Sequence, residues 1–431
     1  MDASAAIASL LMVQLDGRST NAQRAAALNE LRVMQARPGY LQALAALPFA
    51  RSLGAAVVIQ SLILIKNTVA EAKLSDDVVI DTIVPRITPL LGHPEAAVRK
   101  HAAQILSKTV AVTDLLESRR FDLLGELQRA VLVAPHALQA DGALLCLMYI
   151  AEDAAALLES DLAGRPLSVL VPFWISLLGN ANPVVRERAL KSLACFTGHF
   201  PPPLHEHAGD YLRALAALTK DPARGVAKKV IRGFSALLEH KQEILLPHLD
   251  AVALFCLEHV GAREPGVGVA CVEFFNALLI ELADPAPVVR PHVPRLVPLL
   301  CGHLQYTEDD VAMLWSDIQN DSNVPDRDED VRPRLAGMRG HMRRGGYDDD
   351  EDEAVVEADG RLWTVRESAG KCLENLSRKL PAETLLPVLI PCLEAGLSSA
   401  SWSAREGALV LLLNVQPRAA RGLTRFAGQR P

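Results

Sequence analysis

Aromatic side chains are scarce in this chain. Phe, Tyr and Trp make up 4% of its 431 residues, although half of all residues are hydrophobic. Leu, Ala and Val therefore supply most of the apolar surface, a composition that suits many thin helix–helix layers better than one large core. The length exceeds what one compact core usually organises; several globular domains or one elongated repeat array both fit it. Long apolar runs are lacking too. The longest, Ala55–Ile65, is interrupted by Gln60 and Ser61 and falls well short of the ~20 residues that cross a bilayer. The opening residues, MDASAAIASLLMVQL, have no basic stretch of the kind that begins a secretory signal. The chain reads as soluble, with no membrane as a partner.

Cysteine pairs are missing as well. The seven cysteines, Cys146, Cys195, Cys256, Cys271, Cys301, Cys372 and Cys392, are scattered and form no Cys-x-x-Cys. Most sit in apolar helical runs, as buried free thiols do, which suits the reducing cytosol or nucleus. The formal net charge is −7, so the chain as a whole is not built for phosphate backbones and no nucleic-acid partner is expected. Catalytic signatures fail in turn. There is no Walker loop and no G-x-S-x-G elbow, and GVGVA at Gly266–Ala270 lacks the third glycine of a dinucleotide turn. No pair of carboxylates stands out as an acid/base couple. His205 and His207 follow a run of prolines and read as a solvated loop, without the ligand set of a zinc site. His93, His240, His248, His292 and His303 recur near helix ends, where they complement the helix dipole; His101, just inside a helix, reads as a surface residue. No enzyme activity, cofactor or metal is expected.

What is present is a repeat. Apolar helices end in short turns, often with proline, after which a second helix opens on small or branched residues and Arg or Lys. The turn prolines are Pro94, Pro135, Pro183, Pro222 and Pro265, spaced by 41, 48, 39 and 43 residues. That is the period of HEAT-type helical pairs. Two later openings place Trp363 and Trp402 39 residues apart, and the interval from Pro265 to Trp363 is 98, about one period too long. In each pair, apolar stripes such as Leu245, Leu249, Val252 and Leu257, or Val269, Val272, Phe275 and Leu279, cannot be covered by one helix alone. Each pair must stack on the next. Proline in a first helical turn costs no intrahelical bond, and Asp or Asn before it can cap. The arginines of Val98–Arg99, Val185–Arg186 and Val365–Arg366 read as a structural ladder to the turn acid or carbonyl of a neighbouring repeat. The expected fold is an all-α solenoid of about nine antiparallel helix pairs, with the second helices on its concave face.

The excess between Pro265 and Trp363 falls on a segment rich in charge, Gly and Pro. Residues 317–360 hold 14 Asp+Glu against six Arg, a net of −8, which leaves the rest of the chain at +1. A short basic patch, Arg339, Arg343 and Arg344, precedes the run Asp348–Glu353. Such a stretch buries too little to offset its ordering entropy and reads as a mobile insertion, anchored at both ends.

Three stretches carry a resemblance. EDAAALLESDLAGRPLSVLVPFW (Glu152–Trp174), YTEDDVAMLWSDIQNDSNVPDRDEDVRPRL (Tyr306–Leu335) and IQSLILIKNTV (Ile59–Val69) resemble the transportin branch of the importin-beta superfamily, over about Ile7 to Val415. The resemblance implies a right-handed superhelical HEAT solenoid with an acidic loop in its eighth repeat. It implies binding of the GTP form of the small GTPase Ran on an amino-terminal arch. It also implies cargo with a proline-tyrosine nuclear localisation signal, displaced when the loop engages Ran. Nucleoporin repeats are a further candidate partner, and shuttling between cytoplasm and nucleus is implied.

Carried over residue by residue, the Ran-facing candidates are Lys66, Asn67, Glu159 and Asp161, with the loop acids Asp326, Asp328, Glu329 and Asp330. Asp348, Asp349, Asp350, Glu351, Asp352 and Glu353 match the family's acidic tract by residue type only. The expected division is 1–110 as the amino-terminal domain, 111–307 as further repeats, 308–361 as the acidic loop, 362–415 as repeats and 416–431 as an irregular tail. The acidic tract is shorter than in the family, and the chain carries about half as many repeats as the family, whose main cargo surface lies in the remainder. Retained Ran binding and much weakened cargo binding are therefore expected. The alternative is a HEAT scaffold subunit of a multiprotein complex, indifferent to Ran.

Overall fold

The computed structural model describes residues 3–50, 52–71, 76–117, 122–133, 136–161, 165–261, 266–307, 310–311 and 364–415. Among them every regular element is helical and no strand occurs. No described helix is long and apolar enough to cross a membrane. The chain divides into two units, Met1–Ala214 and Leu215–Pro431.

The first unit begins with α1 (Ala3–Leu15) and α2 (Asn21–Gln35), which pack against each other. Thr20 starts α2 with a capping box: its N–H donates to Gln23 Oε1 at 2.8 Å, and the Gln23 N–H donates back to Thr20 Oγ1 at 3.3 Å. The box satisfies donors that no helix can satisfy internally. Then come α3 (Tyr40–Ala46), α4 (Ala55–Glu71), α5 (Ala96–Val112), α6 (Leu123–Val133), α7 (Ala137–Asp153), α8 (Pro166–Leu177) and α9 (Pro183–Thr197). Between α4 and α5, Pro85 and Pro89 divide the chain into the short segments Asp76–Val78, Val79–Ile83, Val84–Ile87 and Thr88–Gly92. Proline cannot donate in a ladder and clashes with the preceding turn, so one continuous helix is not available there.

The second helices carry the architecture. α4 packs on α5, α5 on α7 and α7 on α9, while each also covers a first helix. Burial follows from that position. In α7 Gly142, Ala143, Leu144, Leu145, Cys146, Leu147, Met148, Ile150 and Ala151 are all buried, far more than one amphipathic stripe. Each fully buried Leu or Ile there is worth about 1.5–3 kcal/mol. The approach is closest at Gly142, where a Cβ would stand 2.0 Å from the Leu91 carbonyl oxygen.

A polar ladder fixes the stagger of these helices. Asp141 on α7 accepts from Arg99 of α5 at 3.2 Å and from Arg188 of α9 at 2.5 Å, so one carboxylate joins three successive second helices. The structural reading of the repeated arginines holds, with one correction. The turn carbonyls that they cap belong to their own hairpin: Arg99 Nη1 donates to His93 O and Pro94 O at 2.8 and 3.0 Å, and Arg186 Nη1 to Asn180 O and Ala181 O at 2.8 and 2.9 Å. The acid comes from the neighbour. The turn prolines also split. Pro183 opens α9 behind the Asn182 cap, whereas Pro94 lies two residues before α5.

The second unit repeats the plan with α10 (Arg224–His240), α11 (Leu249–His259), α12 (Val267–Glu281), α13 (Val293–His303), α14 (Val365–Lys379), α15 (Ala382–Leu397) and α16 (Trp402–Asn414). α10 packs on α12, α12 on α14 and α14 on α16. Pro247 interrupts the stripe before α11, yet Leu245, Leu249, Val252 and Leu257 are all buried. Of the α12 stripe, Val272, Phe275 and Leu279 are buried and Val269 is only half-buried, because α12 also buries Cys271, Phe274 and Leu278 toward its other neighbours. Asn375 Nδ2 donates to Asn276 Oδ1 at 3.1 Å, and the Ser368 hydroxyl donates to Glu273. The Asn pair is buried, and an offset of α14 against α12 would break the bond between the two amides.

α13 and α14 pack as a hairpin although residues 304–364 separate them. The described residues at both ends of that stretch are fastened. The Tyr306 N–H donates to Ser403 Oγ at 2.7 Å, and the same hydroxyl donates to Tyr306 O at 3.1 Å. The Arg366 guanidinium stands 3.8 Å over the Tyr306 ring and bonds Glu406 at 2.5 and 2.6 Å. Thr364 caps α14 in a box with Glu367. Replacing Gly142 by Ala should lower stability by about 2–3 kcal/mol, as overpacking against backbone does; urea unfolding followed by circular dichroism measures it.

Candidate interaction surface on the second helices

Of the sequence-derived candidates, four fall on described residues. Asp326, Asp328, Glu329, Asp330 and Asp348, Asp349, Asp350, Glu351, Asp352, Glu353 lie outside them, as do Pro135, Pro265 and Trp363. Lys66 and Asn67 sit on α4, half-buried and exposed respectively. Glu159 closes the short helix Ala155–Glu159 after α7, and Asp161 follows it.

The structure places Lys66 in a cationic group that the sequence reading missed. Its Nζ lies 3.4 Å from Gln104 Oε1 on α5. Lys100, His101, Gln104 and Lys108 are all half-buried and recur along one side of α5. Lys100, Gln104 and Lys108 recur every four residues, with His101 three before Gln104, and this was visible in the sequence as a polar stripe; what hid it was the reading of Arg99 in the same run as structural. Among the described residues neither Lys66 nor Lys108 has an ion-pair partner. His101 is not the surface residue expected. It is about half-buried, its Nδ1 is enclosed without a hydrogen-bond partner, and burial, followed by the nearby Lys66 charge, lowers its pKa.

The next hairpin carries the opposite sign. Glu152, Asp153, Glu159 and Asp161 are exposed at the end of α7 and just beyond it. Glu152 pairs with Lys191 at 3.0 Å, Asp153 accepts from Ser107 Oγ at 2.7 Å, and Glu159 Oε1 lies 2.7 Å from His199 Nε2. Among the described residues Asp161 approaches only Arg165, at 4.0 Å and with both groups in solvent, a pair that contributes almost nothing. Glu159 is thus already committed to a partner, while Asp161 is open.

Reactive chemistry is weak elsewhere. All seven cysteines are free thiols; burial drives Cys301 up to about 12 and raises Cys146, Cys256, Cys372 and Cys392. A thiol held neutral in this way is a poor nucleophile. His205 lies in the short helix Pro202–Glu206 rather than a loop, edge-on to Phe200 at 5.0 Å. Among the described residues no cluster of three metal-ligating side chains occurs.

Helical hairpins whose second helices pack in succession within each unit are the fold of importin-beta-type solenoids. The structure of yeast importin-beta (Kap95p) matches 96% of this chain and 46% of that one, with a TM-score of 0.60 at 16% identity. Kap121p bound to RanGTP matches 98% of this chain and 37% of its own, with a TM-score of 0.59 at 16% identity. No family model matches the sequence. Among curated proteins, transportins are its relatives. Transportin-1 of Mus musculus is 27% identical over 63% of this chain and 31% of its own length. The transportin of Dictyostelium discoideum is 26% identical over 78% of this chain and 40% of its own. The transportin resemblance read from the sequence is therefore borne out, and the chain spans about a third of the length of the curated relatives it matches.

His101 gives a stability test. Its folded pKa lies below the ordinary 6.5. Above 6.5 both states are neutral and the residue is silent. As pH falls through 6.5 the unfolded chain takes up the proton first, so stability is lost until the folded pKa is passed. His101→Gln should flatten the melting-temperature profile between pH 7 and 5, read by thermal denaturation; an unchanged slope would show that other groups dominate.

Proposed function

We propose that this chain acts as a nuclear import receptor that binds the GTP form of the small GTPase Ran and takes part in recognising nuclear localisation signals. The observation that carries the reading is the transportin likeness over 63–78% of the chain, joined to an importin-beta-type fold across nearly all of it. The Kap121p neighbour is bound to RanGTP. The second helices supply a suitable surface: a continuous packed layer with cations on α4 and α5 and carboxylates after α7. Segregated charge of this kind speeds and orients docking more than it deepens the final affinity. Lys66, Asn67 and Asp161 are the described residues assigned to the GTPase, with Glu159 available after exchange of its His199 contact. The acids of 326–330 and 348–353 are assigned the role of a tethered polyanion that meets basic surface on Ran or cargo. Cargo with proline-tyrosine signals is assigned a weak interaction and nucleoporin repeats a further one, in a protein that shuttles between cytoplasm and nucleus.

Purified chain immobilised on a biosensor should bind Ran loaded with a non-hydrolysable GTP analogue at least about tenfold more tightly than Ran-GDP, and Lys66→Glu should cost about 1–2 kcal/mol of that binding. Absence of binding, or equal binding of both nucleotide forms, overturns the proposal, and the second result would favour a scaffold.

A further inference from the structure

The cationic group on α4 and α5 has a chemistry of its own. Lys66 approaches from α4; Lys100, His101 and Gln104 approach from α5. The Gln104 carbonyl faces the Lys66 ammonium at 3.4 Å, and Gln104 also hydrogen-bonds the His101 side chain. His101 Nδ1 is enclosed with no partner among the described residues. A ring nitrogen without a partner, in the field of the Lys66 and Lys100 ammonium groups, marks a place where an anion would be stabilised.

We propose that Lys66, Lys100, His101 and Gln104 form a carboxylate-binding site for an acidic side chain of the docking partner, and that occupancy is coupled to protonation of His101. This rests on the function proposed above and names the partner chemistry that the amino-terminal second helices take.

The linkage follows from the groups that face His101. From α4 only Lys66 acts on it, and from α5 itself Lys100 and Gln104 do. The charges that α7 brings to α5 are committed elsewhere, Asp141 to Arg99 and Asp153 to Ser107. Arg86, in the segment before α5, reaches the Gln42 carbonyl. Glu117, after α5, is exposed and does not act on the histidine. In the free chain, burial and then the Lys66 and Lys100 charges disfavour the imidazolium and lower its pKa, against an opposing hydrogen bond from Gln104. An incoming carboxylate reverses that balance: it cancels the ammonium field and accepts from the imidazolium, so the bound-state pKa rises. Between the free and bound values, binding takes up a proton and strengthens as pH falls. Each unit of separation is worth up to about tenfold in affinity. A basic partner segment would be repelled and a neutral one would gain no Coulomb attraction, which makes the site selective as well as pH-dependent.

The test is a histidine titration by heteronuclear NMR of the full chain, with the His101 signal assigned by its loss in His101→Gln. Two probes are added separately: hexaglutamate peptide, and Ran loaded with a non-hydrolysable GTP analogue. The expected result is a raised His101 pKa with both probes. Ran binding should tighten about threefold to tenfold from pH 7.5 to 6.0, with that gain lost in His101→Gln and the peptide response lost in Lys66→Gln. Circular dichroism confirms that the variants fold. Ran binding that leaves the His101 titration unmoved overturns the inference and leaves the receptor reading intact. If Ran fails to bind in either nucleotide state the receptor reading falls, and hexaglutamate alone decides: a raised pKa upholds the carboxylate site, and an unmoved one overturns it.

Discussion

No described helix can cover its own apolar surface, and each second helix is buried only when it lies between two others. α5 illustrates the constraint: it packs on α4, on α7 and on the short segments before it. The composition makes this both possible and delicate. Leu, Ala and Val give thin layers that stack closely, but such layers are nearly smooth and would tolerate a slip along the helix axis. Polar groups therefore set the stagger. Asp141 ties three second helices at one height, and the Asn276–Asn375 pair does the same between α12 and α14. Buried or half-buried polar atoms cost free energy when unpaired, so each stagger that breaks them is disfavoured by a few kcal/mol. The apolar layers supply the stability, and the sparse polar bonds supply the uniqueness.

The same ladder shapes the surface. Asp141 serves Arg99 and Arg188, and Ser107 is taken by Asp153, so the acids nearest to α5 are committed on the side that faces α7. What remains on the α4–α5 side is cationic. The charge separation between the α4–α5 and α7 regions is thus a by-product of how the array is registered, and a docking partner meets it ready-made. Coulomb attraction at such half-exposed positions is screened over about 8–10 Å at ordinary salt, so it acts mainly on encounter and orientation.

The repeat was legible because its signals are local. Proline turns at intervals near forty residues and branched residues opening each second helix need no tertiary knowledge, and the stripe of Leu245, Leu249, Val252 and Leu257 is buried as its spacing implied. The extent of burial was less legible. A single stripe was expected in α12, whereas helices flanked on several sides, α7 and α12 among them, bury most of their circumference. The structural role of Arg99 could be read from its recurrence, but its acid could not, because Asp141 lies 42 residues away and only the fold brings it close. His101 failed for the same reason. Nothing in the α5 sequence says that Lys66 of another helix will sit beside it and leave the ring half-buried.

The insertion between α13 and α14 tests how far such an array tolerates interruption. Residues 304–364 separate the two helices, and contacts at the base of that stretch hold its ends together. Two hydrogen bonds join Tyr306 to Ser403, each worth about 1 kcal/mol, and the Arg366 guanidinium over the Tyr306 ring adds about as much again. These contacts lie on the framework rather than on the inserted residues. Tyr306 is held by α14 and α16 together, through Arg366, Ser403 and Trp402. The second helix that follows the insertion is thereby returned to register by its neighbours on both sides, α12 through the buried asparagines and α16 through the Arg366–Glu406 pair. Long insertions are accommodated here because the neighbouring helices, and not the connection, specify where the returning helix must lie.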